Sequence, residues 1–235
     1  MFLTNHPAMF LDGYLIISDV HLGITYELYK SGVSMPSQVR SFLQRLHALQ
    51  KTTKAKFLVI NGDLKHKVPG TSWQEFKEIP SFLEQLDFDK IILVKGNHDG
   101  GIEKLIYGEI KKKVSIRKTF HIGSCLFTHG HRKLLKNQLK NIRTIVIGHN
   151  QPAVLFRDRM GASYIEQVWV RGPLKGNKKL KLIIMPSFNE LAGAGVVNKG
   201  ELLGPIAKKL DKKKAHLFLL DGTDLGTIED LKVEE

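Results

Sequence analysis

Five short polar clusters hold the residues of this chain that could do chemistry: Asp19-Val20-His21, Asn61-Gly62-Asp63, Gly96-Asn97-His98-Asp99, Thr128-His129-Gly130-His131 and Gly148-His149-Asn150-Gln151. Carboxylate, amide and imidazole groups in this mixture are oxygen and nitrogen ligands for divalent cations. They suit Mn, Fe, Zn, Ni or Co better than Ca or Mg. Asp19 and His21 lie two apart and would point the same way from an extended strand end. Asp63 could bridge two cations through its two oxygens, Asn97 offers a carbonyl oxygen, and His129 and His149 add ring nitrogens. Taken singly, each residue is accounted for by strand-end capping and turn chemistry. Their shared placement argues for a joint role.

Every cluster closes an apolar run, at 14–17, 57–60, 91–94, 125–127 and 145–147. Short β-branched runs ended by Gly or Asp read as buried strands. In open α/β sheets, ligands bind where loops leave the carboxyl ends of strands. Between the runs, a helix is expected over 36–50, with Val39, Phe42, Leu43, Leu46 and Leu49 at helical spacing. Ser72-Trp73-Gln74-Glu75 has the form of a capping box for a helix reaching about 86, which Pro80 should kink or split. Shorter helices are expected over 102–110 and 132–139. Beyond 152 the chain reads as strands at 153–157, 164–170, 180–185, 215–221 and 226–231, with a hairpin connection at 159–162 and a lysine-rich loop at 175–179. Such successive strands favour antiparallel or mixed pairing. The pattern predicts an α/β fold of two mixed sheets face to face, flanked by helices. A single domain over 1–235 is expected, with the motifs inside 14–152 and the second sheet completed by 153–235.

The order of the clusters resembles the calcineurin-like metallophosphoesterase superfamily, whose pattern is Asp-x-His, Gly-Asp, Gly-Asn-His-Asp/Glu, His, then Gly-His-x-His. The β-rich tail agrees with that family's four-layer α/β/β/α sandwich. Ser-Asp-Val-His-Leu-Gly at 18–23, Gly-Asp-Leu-Lys-His at 62–66 and Met-Pro-Ser-Phe-Asn-Glu-Leu at 185–191 resemble, more narrowly, archaeal phosphoesterases related to the SbcD nuclease subunit.

The resemblance implies two divalent metals, Mn²⁺ foremost, with Fe, Zn, Ni or Co as alternatives. Asp19 and His21 would hold the first, Asp63 would bridge, and Asn97, His129 and His149 would hold the second. A hydroxide between them would attack phosphorus. His98 would face the scissile phosphate and assist the leaving oxygen, with Asp99 orienting its ring. The chain departs from the pattern at Gln151, where the family has a histidine ligand of the first metal. A neutral amide is a weaker ligand than imidazole, so this site is expected to bind loosely, to prefer a harder ion or to stay empty. His131 or His66 are the neighbours that could substitute. Lys65, His66 and His131 are candidates for substrate contact beside their plainer reading as loop residues, and Arg132 and Lys133 read first as solvated surface. Asn189 and Glu190 line the cleft or form a turn. Trp73 and Trp169 are expected to pack.

The implied reaction is metal-assisted hydrolysis of a phosphate ester. Thirty-six Lys and Arg against 23 Asp and Glu give a net charge of +13, which favours a polyanionic partner; with the SbcD-related resemblance, which implies nucleic-acid cleavage, it points to phosphodiesters of DNA or RNA. The alternatives are a small nucleotide substrate and a metal-weakened module that binds nucleic acid without strong catalysis. No apolar stretch approaches the roughly 18 residues of a membrane span, and no signal peptide is evident. The single Cys125 cannot form an internal disulfide, which fits a reducing cytoplasm. A homodimer is the base-rate expectation, and no motif names a helicase or ATPase partner.

Overall fold

The aliphatic runs form strands whose alternate residues enter different cores. The computed structural model describes residues 1–158, 160–200 and 202–232. In the first sheet β1 (Met9–Leu11), β2 (Tyr14–Ile17), β3 (Phe57–Ile60), β4 (Lys90–Val94) and β5 (Val114–Arg117) lie side by side in chain order. β1 is antiparallel to β2, and the other pairs are parallel. The crossovers carry α1 (Ile24–Lys30), α2 (Val39–Thr53), α3 (Trp73–Gln85) and α4 (Ile110–Lys113). The second sheet contains β6 (Phe120–Ile122), β7 (Cys125–Phe127), β8 (Thr144–Ile147), β9 (Pro152–Arg157), β10 (Ser163–Leu174), β11 (Asn177–Ile184) and β12 (Gly195–Val196). After α5 (Gly204–Ala207) come β13 (His216–Leu219) and β14 (Asp224–Thr227). The order is β12-β9-β10-β11-β8-β7-β6, with β13 pairing β10 and β14.

Period-two burial assembles three layers of core. Leu15, Ile17, Leu58, Ile60, Ile91 and Leu93 face α2 and α3, packing on Phe42, Leu46, Ile79 and Phe82. Their neighbours Ile16, Val59, Ile92 and Val94 face the other way and meet Phe127, Val146, Trp169 and Ile183 between the sheets. Ile145, Ile147, Val168, Val170, Leu182 and Ile184 form the outer core of the second sheet with Leu202, Ile206 and Leu210. This is the expected two-sheet α/β sandwich, although its outer layer over the second sheet is thin. α5 has four residues, and the segment expected to be a helix over 132–139 yields only a three-residue-per-turn helix at Lys136–Leu139. No helix among the described residues is long and apolar enough to cross a membrane.

Several element expectations need correction. α3 has its capping box, Ser72 accepting from the Glu75 N–H, but Pro80 does not split it. Proline removes a single intrahelical bond, while Ile79, Pro80, Phe82 and Leu83 are buried and anchor that stretch. The segment 102–110 is a short three-residue-per-turn helix at Ile102–Leu105, separated by Gly108 from α4. Glycine at positive φ ends a helix readily. The loop expected at 175–179 is mostly β11, because a turn with Gly176 at φ 76° closes a tight β10–β11 hairpin. Of the 159–162 connection, Arg159 lies outside the described residues, and the Asp158 carboxylate accepts from the N–H groups of Met160 and Ala162. Trp169 packs, stacked on Phe2 at 4.2 Å. Trp73 does not: it is 68% exposed, with the Lys77 ammonium over its ring.

Candidate metal centre

The carboxyl ends of β2, β3, β4, β7 and β8 deliver all five polar clusters to the seam between the sheets. The backbone turns sharply there. Asp19, His21, Asp63, His149 and Gln151 all have positive φ, between 45° and 68°, a region that disfavours any residue with a Cβ by roughly 1–2 kcal/mol. Such conformations persist only where the surroundings fix them, and they cluster at functional sites. Asp19 and His21 therefore do not converge by extended alternation, as their spacing suggested. Two left-handed turns bring the His21 Nε2 within 3.9 Å of Asp19 Oδ1.

Motif glycines allow the clusters to touch. A Cβ on Gly62 would overlap the His129 ring, and one on Gly96 would overlap the Asp63 carboxylate. Hydrogen bonds then hold each donor. Asp19 receives the His149 N–H at 3.2 Å and has Ser18 Oγ at 2.5 Å. The His129 Nδ1 donates to the Asn61 carbonyl at 3.1 Å, which fixes the ring and turns Nε2 inward. That Nε2 lies 3.0 Å from Asp63 Oδ2 and 3.1 Å from Asn97 Oδ1. The same Asp63 Oδ2 is 3.9 Å from the His21 Nε2. Potential ligand atoms lie within 4.8 Å of one another in three groups: Asp19, His21 and Asp63; Asp63, His129 and His149; and His21, His66 and His98. The first two share Asp63, and hard oxygen with imidazole nitrogen fits borderline divalent cations.

The charge state is set by burial against pairing. Burial raises the Asp19 carboxyl to about 6. Burial works against the charged forms of both Asp63 and His129, but their mutual hydrogen bond and attraction win. Asp63 is held below the usual carboxylate range and His129 is raised to about 9. Burial lowers His21 to about 3 and His149 to about 4, so both rings are neutral and ready to ligate.

Gln151 reaches the centre on the first-cation side. Its side-chain amide lies 2.9 Å from the His21 Nε2 and 3.5 Å from Asp19 Oδ1. Rotating the amide presents its carbonyl oxygen at the same place. Neither suggested substitute takes that position. His66 meets the opposite, Nδ1 face of His21 at 3.3 Å, and His131 lies beyond His129, its ring tilted by 57° at 5.4 Å between centroids.

His98 projects its Nε2 to 4.0 Å from Asp63 Oδ2 and remains partly open to solvent. Asp99 does not orient it. The His66 carbonyl accepts from the His98 Nδ1 instead. The buried Asp99 carboxylate accepts the N–H groups of Gly96, Asp63, Leu64 and Lys65, at 2.8–3.3 Å. It is a positioning residue for the Asp63 turn. Lys65 is likewise withdrawn from substrate: it is buried, and its ammonium donates to the carbonyls of Lys67 and Gly70. Ser187 and Asn189, which drew no role or an ambiguous one from sequence, clamp the Asp19 turn. The Ser187 Oγ donates to the Asp19 carbonyl at 2.9 Å, and the Asn189 Nδ2 donates to the Val20 carbonyl at 2.9 Å. The sequence signal for them was the Met-Pro-Ser-Phe-Asn-Glu-Leu motif at 185–191, which gave neither residue a definite role.

The family model for calcineurin-like phosphoesterases matches residues 14–211. A stretch of 68 residues is 38% identical to serine/threonine-protein phosphatase CPPED1 of Rattus norvegicus, covering 27% of this chain and 22% of the relative. For the Bos taurus protein of the same name the figures are 35% over 104 residues, 40% and 32%. The match thus spans less than a third of the length of these relatives. Among solved structures, the nuclease MPE of Pseudomonas putida superposes over 91% of this chain and 88% of its own, with a TM-score of 0.54 and 18% identity, a likeness of fold.

Proposed function

The chain belongs to the calcineurin-like phosphoesterase family, and from that membership we propose a metal-dependent phosphoesterase with two cation sites that hydrolyses phosphodiesters of nucleic acids. Asp63 carries the reading: one buried carboxylate belongs to two groups of ligand atoms at once. Asp19, His21, Asp63 and Gln151 would hold one cation, and Asp63, Asn97, His129 and His149 the other. Such mixed donors suit Mn, Fe, Zn, Ni or Co, and the family resemblance puts Mn²⁺ foremost among them. Bound there, the cations supply Lewis-acid polarisation of the phosphoryl oxygens and lower the pKa of water.

The chain's own groups do the rest. His98, held through Nδ1 by the His66 carbonyl, keeps Nε2 over the Asp63 carboxylate, placed to pass a proton to the leaving oxygen. His66 lines the same opening together with Glu27 and Lys67. The net charge of +13 supports a polyanionic substrate. The lone cysteine supports a reducing compartment such as the cytoplasm.

The test is hydrolysis of bis(p-nitrophenyl) phosphate after chelation and readdition of Mn²⁺. Turnover should return with the metal and exceed that on p-nitrophenyl phosphate. A folded protein inactive with every divalent metal would refute the reading. The CPPED1 matches favour a second reading, a phosphomonoesterase acting on phosphoprotein. Faster release of phosphate from a phosphoserine peptide than from any diester would select it.

A further inference from the structure

Beside the metal centre, a cavity of about 320 Å³ opens between the carboxyl ends of β4 and β5 and the turn after β7. That is the lower end of ligand-pocket size. Strand pairing explains its charge. Val94 and Arg117 are partners at the ends of β4 and β5, so the next residues, Lys95 and Lys118, emerge together. Across from them stand His131, Arg132 and Lys133, and Leu135 adds an exposed apolar wall. Glu103 neutralises Lys95 at 2.6 Å. Among the described residues no carboxylate pairs with Lys118, Arg132 or Lys133. Both ring nitrogens of His131 are buried without a hydrogen-bond partner among the described residues, and buried polar atoms of that kind ordinarily have one. The pocket also includes Thr128, the neighbour of His129.

We infer that this pocket is a second anion site, the seat of the phosphate next to the scissile one on a nucleic-acid strand. The inference rests on the phosphodiesterase reading. It deepens that reading by making the substrate a strand with at least one further phosphate rather than an isolated diester. Lys118, Arg132 and Lys133 supply the charge, and Leu134 and Leu135 form an apolar wall for sugar or base. Lys111 and Lys112 on α4 directly precede β5 and so lie at the strand end opposite to Lys118 and the pocket.

Binding of a fluorescein-labelled single-stranded oligonucleotide to chelator-treated protein, followed by anisotropy, tests the site without turnover. The pair Arg132→Glu and Lys133→Glu should weaken binding by about tenfold or more and reduce the salt slope by about 0.7 for each phosphate that is no longer neutralised. The pair Lys111→Glu and Lys112→Glu, with the same change in net charge, should cost less than about threefold, since its effect is only a screened long-range one. Neutral Gln at 132 and 133 should fall between wild type and the Glu pair. Equal losses in the two reversed pairs, or wild-type affinity in the pocket pair, would overturn the subsite. Protein that cleaves bis(p-nitrophenyl) phosphate yet binds the oligonucleotide alike in every variant defeats the subsite alone. Pocket-dependent binding without any diester cleavage defeats the catalytic reading and leaves the anion site standing.

Discussion

At the residue scale, Asp63 and His129 form a buried ion pair before any cation arrives. His129 is raised to about 9 from an ordinary 6.5 by its hydrogen bond and attraction to Asp63, in spite of burial. A histidine so raised contributes stability that is complete below pH 6.5 and lost as pH rises through 9. The chelated protein should therefore become less resistant to urea across that window. Metal affinity should rise over the same range, because a ligating imidazole must give up its proton. Calorimetric titration near pH 7.5, repeated in buffers of different ionisation enthalpy, should find about one proton released on filling the His129 site. A proton count of zero would show that His129 is already neutral. The ligand types at this scale were legible from sequence, since Asp, Asn and His are chemical labels in themselves. The partners of Asp99 and Lys65 were not. Which of several nearby groups a buried side chain touches depends on turns that spacing does not encode, and the left-handed turns at Asp19 and His21 are the plainest case.

At the element scale, the centre depends on loops held by side chains as well as by backbone bonds that extend the β2–β3 pairing, such as His21 N–H to the Asp63 carbonyl at 2.9 Å. Asp99 gathers four N–H groups from two strand ends. Asn at this position keeps the size but replaces one acceptor oxygen with a donor, so N–H groups of the Asp63 turn lose their partner. Asp99→Asn should cost about 1–3 kcal/mol in urea denaturation and weaken metal binding in the same calorimetric assay. Unchanged stability with lost turnover would instead place Asp99 in the chemistry. Strands were readable because period-two burial leaves its mark on both faces, as in Leu15, Ile16 and Ile17. Helices near the second sheet were not, because Arg132 to Leu139 has the composition of a helix but only the last four residues coil. Pro80 does not split α3, because burial of Ile79 and Phe82 outweighs one missing backbone bond.

At the scale of the whole molecule, the two sheets meet through Ile16, Val59, Ile92, Phe127, Val146 and Trp169. Trp169 is 1% exposed and stacks on Phe2. Trp169→Ala should lower stability by about 3–5 kcal/mol, measured by denaturant unfolding; a loss below about 1 kcal/mol would mean that this interface collapses around the gap. The polar counterpart of that interface is the metal centre. Asp19, His21, Asp63 and Asn97 come from the first sheet, and His129, His149 and Gln151 from the second. Asn61 already spans the seam, donating from Nδ2 to the Val146 carbonyl at 3.2 Å. A cation coordinated by Asp63 and His129 would therefore act as a cross-link between two halves of the chain that are far apart in sequence. It would close a long loop in the folded state alone, and filling the centre would fasten one layer of the sandwich to the other.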